Sequence, residues 1–158
     1  DSETSLRALV GELTIEQHWQ AVGDALGVPP EALPAVKAQF WSSDVVNHEL
    51  VDTIRRLRPA YKVGLLSNAW GDLRHVMQER FHFDGLFDDL VISAEVGLAK
   101  PDPRIFELAV ARLGVQPAEA VFIDDVLANV EAAQGVGLQA IHYQDNPQLF
   151  EALERLHV

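Results

Sequence analysis

The 158-residue chain contains no cysteine, which excludes disulfides and thiolate metal sites. No apolar run approaches the roughly 18 residues that cross a membrane as a helix. The first residues, DSETSLRALV, do not place a basic segment ahead of an apolar one, as a secretory leader does. Positive charge is scarce: 12 Lys and Arg stand against 24 Asp and Glu, a formal net charge of −12. Such a chain repels nucleic acid and anionic membranes on average, and an anionic small substrate needs a local cationic site. Repeats, low-complexity tracts and long blocks of like charge are also absent. These absences lead us to expect a cytoplasmic protein with neither nucleic acid nor membrane as a partner. The length allows one domain with a real core, or one domain with a small appendage.

The pattern that is present changes near residue 60. Ahead of it we read only helices. TIEQHWQAVGDALG opens with a capping box, Thr14 with Gln17, puts Ile15, Trp19, Val22 and Leu26 on one face, and meets a terminator at Gly27. PPEALPAVKAQFW reads as a helix with proline near its first turn, and HELVDTIRRLR places Leu50, Ile54 and Leu57 on one face. After residue 60, short apolar strands (KVGLLS, LVIS, AVFID, LQAIHY) alternate with helical stretches: GDLRHVMQERF, DPRIFELAVARLG, VLANVEAAQG and PQLFEALERL. That alternation predicts an α/β fold, a Rossmann-like parallel sheet with helices on both faces, preceded by a small α-helical cap. We place the cap at residues 1–55 and the core at 56–158.

Ligands of such sheets bind outside the carboxyl ends of the strands. The polar residues there are Ser67 and Asn68 after the first strand and Asp124 and Asp125 after the third, with Lys100 in the loop AEVGLAKPDP before a helix start. Asp124 and Asp125 suit a hard divalent cation held through oxygen, with magnesium the best match. Asn129, four residues after Asp125, can face the same loop. Ser67 offers a hydroxyl, the backbone around Asn68 offers N–H groups to an oxyanion, and Lys100 supplies a full positive charge. Each feature alone has an ordinary structural explanation: a helix cap, turn chemistry, a solvated lysine. The same holds for the three tryptophans, read as packing, and for the six histidines, which form no close ligand pair. Only the ordered set points to a site.

That ordered set resembles the haloacid dehalogenase-like hydrolase superfamily. VGLLSNAWG is similar to its second motif, with Ser67; AEVGLAKPDPRIFELAVARLGV to its third, with Lys100; VFIDDVLANVEAAQGVGLQAI to its fourth, with Asp124 and Asp125. The spacings, 33 residues from Ser67 to Lys100 and 24 from Lys100 to Asp124, are in keeping with it. The FIDDxxxN and KPDPRIF forms resemble a phosphatase branch that includes sugar-phosphate phosphatases and the phosphatase domain of soluble epoxide hydrolases. The resemblance implies magnesium-dependent hydrolysis of a small phosphorylated metabolite through an aspartyl-phosphate. It implies Lys100 and Ser67 as catalytic residues, Ser67, Asn68 and Lys100 as phosphate ligands, Asp124 and Asp125 as metal ligands, and Asn129 in support.

One departure is large. The family's first motif is Asp-x-Asp on a central first strand, its first aspartate attacking phosphorus and its second serving as general acid and base. No Asp-x-Asp occurs in these 158 residues. FDGLFDDL, residues 83–90, resembles it superficially but lies after the second motif, and we read it as a loop entering the next strand. The expectation is a sheet without its central first strand, inactive as it stands, to be completed by an N-terminal segment or a second chain. The alternative is a catalytically dead binding or regulatory module. A 2-haloacid dehalogenase is disfavoured because those enzymes work without metal.

Overall fold

A computed structural model describes residues 2–42 and 44–158. The N-terminal helices are α1 (Ser2–Leu9), α2 (Ile15–Leu26), α3 (Leu33–Ser42) and α4 (His48–Leu57), with a short 3-10 turn over Pro30–Ala32. The capping box at α2 forms as expected. Thr14 Oγ1 accepts from the Gln17 N–H at 3.2 Å, and Gln17 Oε1 accepts from the Thr14 N–H at 2.9 Å. Gly27 closes the helix in the left-handed region at φ 65°. The buried stripe of α2 is His18, Trp19 and Gly23, whereas Leu26 is 61% exposed. The stripe shifts because Leu33 of α3 packs on Gly23, where a Cβ would lie 2.6 Å from the Leu33 side chain.

Next come β1 (Gly64–Ser67), α5 (Leu73–Glu79), β2 (Asp89–Ile92), α6 (Ser93–Val96), α7 (Pro103–Leu113), β3 (Val121–Asp124), α8 (Leu127–Val136), β4 (Gln139–His142) and α9 (Asn146–Arg155). Asp102 caps α7 by accepting the Arg104 N–H, Pro103 opens it, and Gly114 ends it at φ 66°. α8 runs past Gly135, where the sequence pattern put its end, to Gly137 at φ 100°. The stop therefore falls where a left-handed residue can turn the chain into β4. Residues 83–88 form turns ahead of β2, so FDGLFDDL is a loop entering a strand.

β1 pairs in parallel with β2, from Gly64↔Asp89 to Ser67↔Ile92. β3 pairs in parallel with β4, from Val121↔Gln139 to Asp124↔His142. Among the described residues the two pairs share no strand-to-strand ladder. They are joined instead through one apolar slab, Val91, Ile105, Phe106, Val110, Ala133 and Leu138, on which both Leu66 of β1 and Phe122 of β3 pack. Phe106 and Phe122 meet edge to face, ring centroids 5.1 Å apart. On the opposite face Val121 packs with Ile141, Leu149 and Leu153 beneath α9, and Leu50 of α4 joins them. Adjacent residues Val121 and Phe122 thus serve opposite faces, and helices cover both, as a doubly wound sheet requires.

Burial differs between the strands. On β2, Val91 and Ile92 are fully buried, whereas Ile123 of β3 is 39% exposed. KVGLLS and AVFID are apolar on both faces, as central strands are, yet among the described residues each pairs with one strand only. The boundary we proposed at residues 55/56 falls inside α4, whose Leu50 packs on the core while Val51 and Thr53 are its buried residues.

Candidate active site

The loops at the carboxyl ends of β1 and β3 approach each other across the space between the strand pairs, and one side chain spans it. Lys100 Nζ donates to Asp124 Oδ2 at 2.6 Å and to the Leu66 carbonyl of β1 at 3.1 Å. Both partners of the ion pair are buried, with side chains 10% and 6% exposed. The ammonium also lies 5.6 Å from the centroid of the Phe122 ring. An ion pair this dry survives only when the remaining lone pairs and protons are also met. On the carboxylate side they are: Asp124 Oδ1 accepts the Val126 N–H at 2.8 Å and the Asn129 amide at 3.1 Å. Burial pushes the Asp124 carboxyl up, but Lys100, the Val126 N–H and Asn129 outweigh it and hold the group below the usual carboxylate range.

Lys100 is positioned by Asn68. The Asn68 amide donates to the Lys100 carbonyl at 2.8 Å and accepts the Lys100 N–H at 2.7 Å, a closed amide-to-backbone pair. What Asn68 has left for an anion is its main-chain N–H. The loop it sits in is pinned by a residue that sequence reasoning missed. Ser93 is fully buried, and its hydroxyl accepts the Ala69 N–H at 3.0 Å and donates to the Ala69 carbonyl at 3.2 Å. The available signal was a hydroxyl ending an otherwise apolar strand, LVIS. Ser67 ends β1 half-buried, and among the described residues no group claims its hydroxyl.

The structure therefore brings Asp124, Lys100, Asn68 and Asn129 into one bonded network with Ser67 at its margin. Asp125 stands beside it: exposed, its carbonyl 3.0 Å from His142 Nε2. Two carboxylates and an amide form a hard, oxygen-rich set that suits magnesium. Among the described residues no three or more His, Cys, Asp or Glu side chains gather into a closed cage. A cation here would complete its shell with water and substrate oxygens, as magnesium does. Lys100 occupies one lone pair of Asp124 Oδ2, so the exposed Asp125 is the less encumbered ligand.

Above the loop sits an aromatic cluster that contacts the helical segment. Trp70, two residues past Asn68, has its ring centroid 4.1 Å from His18, 5.8 Å from Trp19 and 5.4 Å from Phe40. Trp19 and Trp70 thus pack, as read from the sequence. Both His18 ring nitrogens, Trp70 Nε1 and Asp72 Oδ1 are buried without a partner, and burial pushes the His18 imidazole below its ordinary value.

Residues 6–137 match the sequence profile of haloacid dehalogenase-like hydrolases. A sesquiterpene phosphatase of Aspergillus oryzae is 27% identical over 92% of this chain and 75% of its own length. Acyl-CoA dehydrogenase family member 10 of Mus musculus is 41% identical over 99% of this chain, which spans 15% of that protein. In three dimensions, a HAD family enzyme of Bacteroides thetaiotaomicron, solved with magnesium and inorganic phosphate, superposes with a TM-score of 0.77. It is 27% identical, over 93% of this chain and 79% of that one.

Proposed function

Because the chain belongs to the haloacid dehalogenase-like hydrolase family, we propose that it forms the phosphate and metal half of a magnesium-dependent phosphomonoester hydrolase. The observation that carries this reading is the bridge from Lys100 to Asp124 and to the Leu66 carbonyl, which sets one buried cation at the mouth of the space between β1 and β3. A dianionic phosphoryl group needs such a charge in a protein of net charge −12. The similarity to a sesquiterpene phosphatase and to a structure holding magnesium and phosphate supports it.

In this reading Lys100 binds and orients the phosphoryl oxygens, with the Ser67 hydroxyl and the Asn68 N–H as further donors. Asn68 and Ser93 keep those donors in place. Asp124 and Asp125 would hold magnesium, with Asn129 fixing the Asp124 carboxylate. Bound there, the metal supplies charge neutralisation at the phosphoryl oxygens. The nucleophile belongs to an Asp-x-Asp segment lying as a strand between β1 and β3. Its first aspartate would take the phosphoryl group, and water would then release phosphate. We propose a cytoplasmic enzyme acting on a small phosphorylated metabolite. Among the described residues no helix is long and apolar enough to cross a membrane. Residues 1–55 are proposed as its cap and 56–158 as its catalytic core.

The test is an assay of the chain supplied, in cis or in trans, with an apolar strand ending in Asp-x-Asp, on a generic phosphomonoester with and without magnesium. Magnesium-dependent phosphate release that disappears in Lys100→Met supports the reading. Release that persists in that variant overturns it.

A further inference from the structure

β4 ends beside the paired aspartates, and two of its residues reach back to them. In the parallel register Asp124 lies opposite His142. The main-chain ladder goes one bond further, with the Tyr143 N–H donating to the Asp124 carbonyl at 2.9 Å. The next carbonyl, that of Asp125, meets a side chain instead: His142 Nε2 lies 3.0 Å from it. A carbonyl oxygen only accepts, so Nε2 carries the proton in this bond. No other described group competes for the half-buried ring. A side chain that merely covered the sheet end would need no donor.

The Asp125 carbonyl and the Val126 N–H belong to one peptide unit, and both of its polar ends are held. The N–H donates to Asp124 Oδ1 at 2.8 Å, and the carbonyl accepts from His142. A peptide unit is planar, so holding both ends fixes the plane. That plane directs the Val126 N–H, which shares Asp124 Oδ1 with the Asn129 amide at 3.1 Å and so sets which way Oδ2 faces. It also fixes ψ of Asp125, and with it the direction in which that exposed carboxylate leaves the loop. A donor on the carbonyl polarises the peptide and strengthens the bond its N–H makes. One imidazole thus acts on two neighbouring carboxylates through a single peptide.

We propose that His142 is a positioning residue for the metal site: its Nε2–H holds the Asp125–Val126 peptide, and through that peptide both carboxylates, in the orientation that takes magnesium. The proposal rests on the metal reading of the preceding subsection and adds the residue that orients its ligands. His142 itself touches neither metal nor phosphoryl group in this role. Its work is done before the ligands arrive, by removing the freedom of a peptide that lies just past the end of the ladder.

The test is calorimetric titration of magnesium into the chain completed by its Asp-x-Asp strand, unsubstituted and as His142→Leu and His142→Gln. Leucine fills a comparable volume without a donor, whereas the glutamine amide nitrogen can stand where Nε2 stood. Magnesium affinity should fall about tenfold in His142→Leu, as expected of a group that orients metal ligands from outside their shell, and return most of the way in His142→Gln. Undiminished affinity in His142→Leu overturns the proposal and leaves the metal reading standing. An equal fall in both variants overturns it too, because it assigns the ring a packing role. An unsubstituted protein that binds no magnesium removes the metal reading, and the proposal with it. A second measurement needs no variant: long-range nitrogen–proton correlation spectra of the metal-free protein. They should show the His142 proton on Nε2, and a ring protonated on Nδ1 alone would overturn the bond on which the proposal stands.

Discussion

Lys100 Nζ donates to Asp124 Oδ2 at 2.6 Å from a loop on the far side of the space between β1 and β3. The pair is almost dry, and each member would be costly alone. Lys100→Met should destabilise the fold by about 3 kcal/mol, because it strands a buried carboxylate. Asp124→Asn in the same background should recover part of that loss. Denaturant unfolding of the two single variants and the double variant measures the coupling, and simple additivity would show that the pair is not a unit.

The unpartnered His18 gives a pH signature. Burial holds its imidazole below the ordinary 6.5, with Asp72 pulling the other way and Lys37 adding to the depression. A depressed folded value means that the unfolded chain takes up the proton first. Its contribution is full above about pH 6.5 and is lost as pH falls toward the folded value. His18→Phe fills a similar volume without ring nitrogens to satisfy. It should flatten the fall in melting temperature as pH drops below about 6.5. An unchanged acid slope would show that other groups set it.

Gly11 meets the core where substitution is barred twice. Its φ is 73°, and a Cβ would sit 2.3 Å from the Ala94 carbonyl oxygen of α6. Gly11→Ala should cost about 2 kcal/mol or more. At Gly135, inside α8 with nothing within 4 Å, the same change should stabilise by about 0.5–1 kcal/mol. Equal melting temperatures for the two variants would contradict this.

The sequence showed the elements whose local rules are strong: the Thr14–Gln17 box, the Asp102–Pro103 start, the alternation after residue 60, and the residues that gather at the strand ends. It did not show that Asn68 would be consumed by the Lys100 backbone, or that Ser93 would pin the loop. Those bonds join residues 24–32 positions apart, and no local pattern encodes them. The stripe of α2 was placed about one residue round the helix from where it lies, because its partner, Leu33, is on another helix. Gly135 was taken for a stop because a helical glycine and a left-handed one look alike until the backbone is known.

The free edges of β1 and β3 bear on activity. Backbone groups left dry cost about 1–3 kcal/mol each, so an open edge on an apolar strand needs a neighbour. These 158 residues alone should not turn over a phosphomonoester. A segment with an apolar strand ending in Asp-x-Asp, added in cis or in trans, should protect edge amides of β1 and β3 from hydrogen exchange and bring turnover with it. Magnesium-dependent turnover by a verified 158-residue monomer would place the nucleophile elsewhere.

The most direct test of the site is titration of inorganic phosphate into the intact protein, in magnesium and again in excess chelator. The account predicts saturable binding at one site in magnesium, weakened by the chelator. Lys100→Met should weaken it further, by about 2–4 kcal/mol, the loss expected when a buried charge-assisted contact is removed. Phosphate binding of equal affinity in chelator, or undiminished in Lys100→Met, would contradict it.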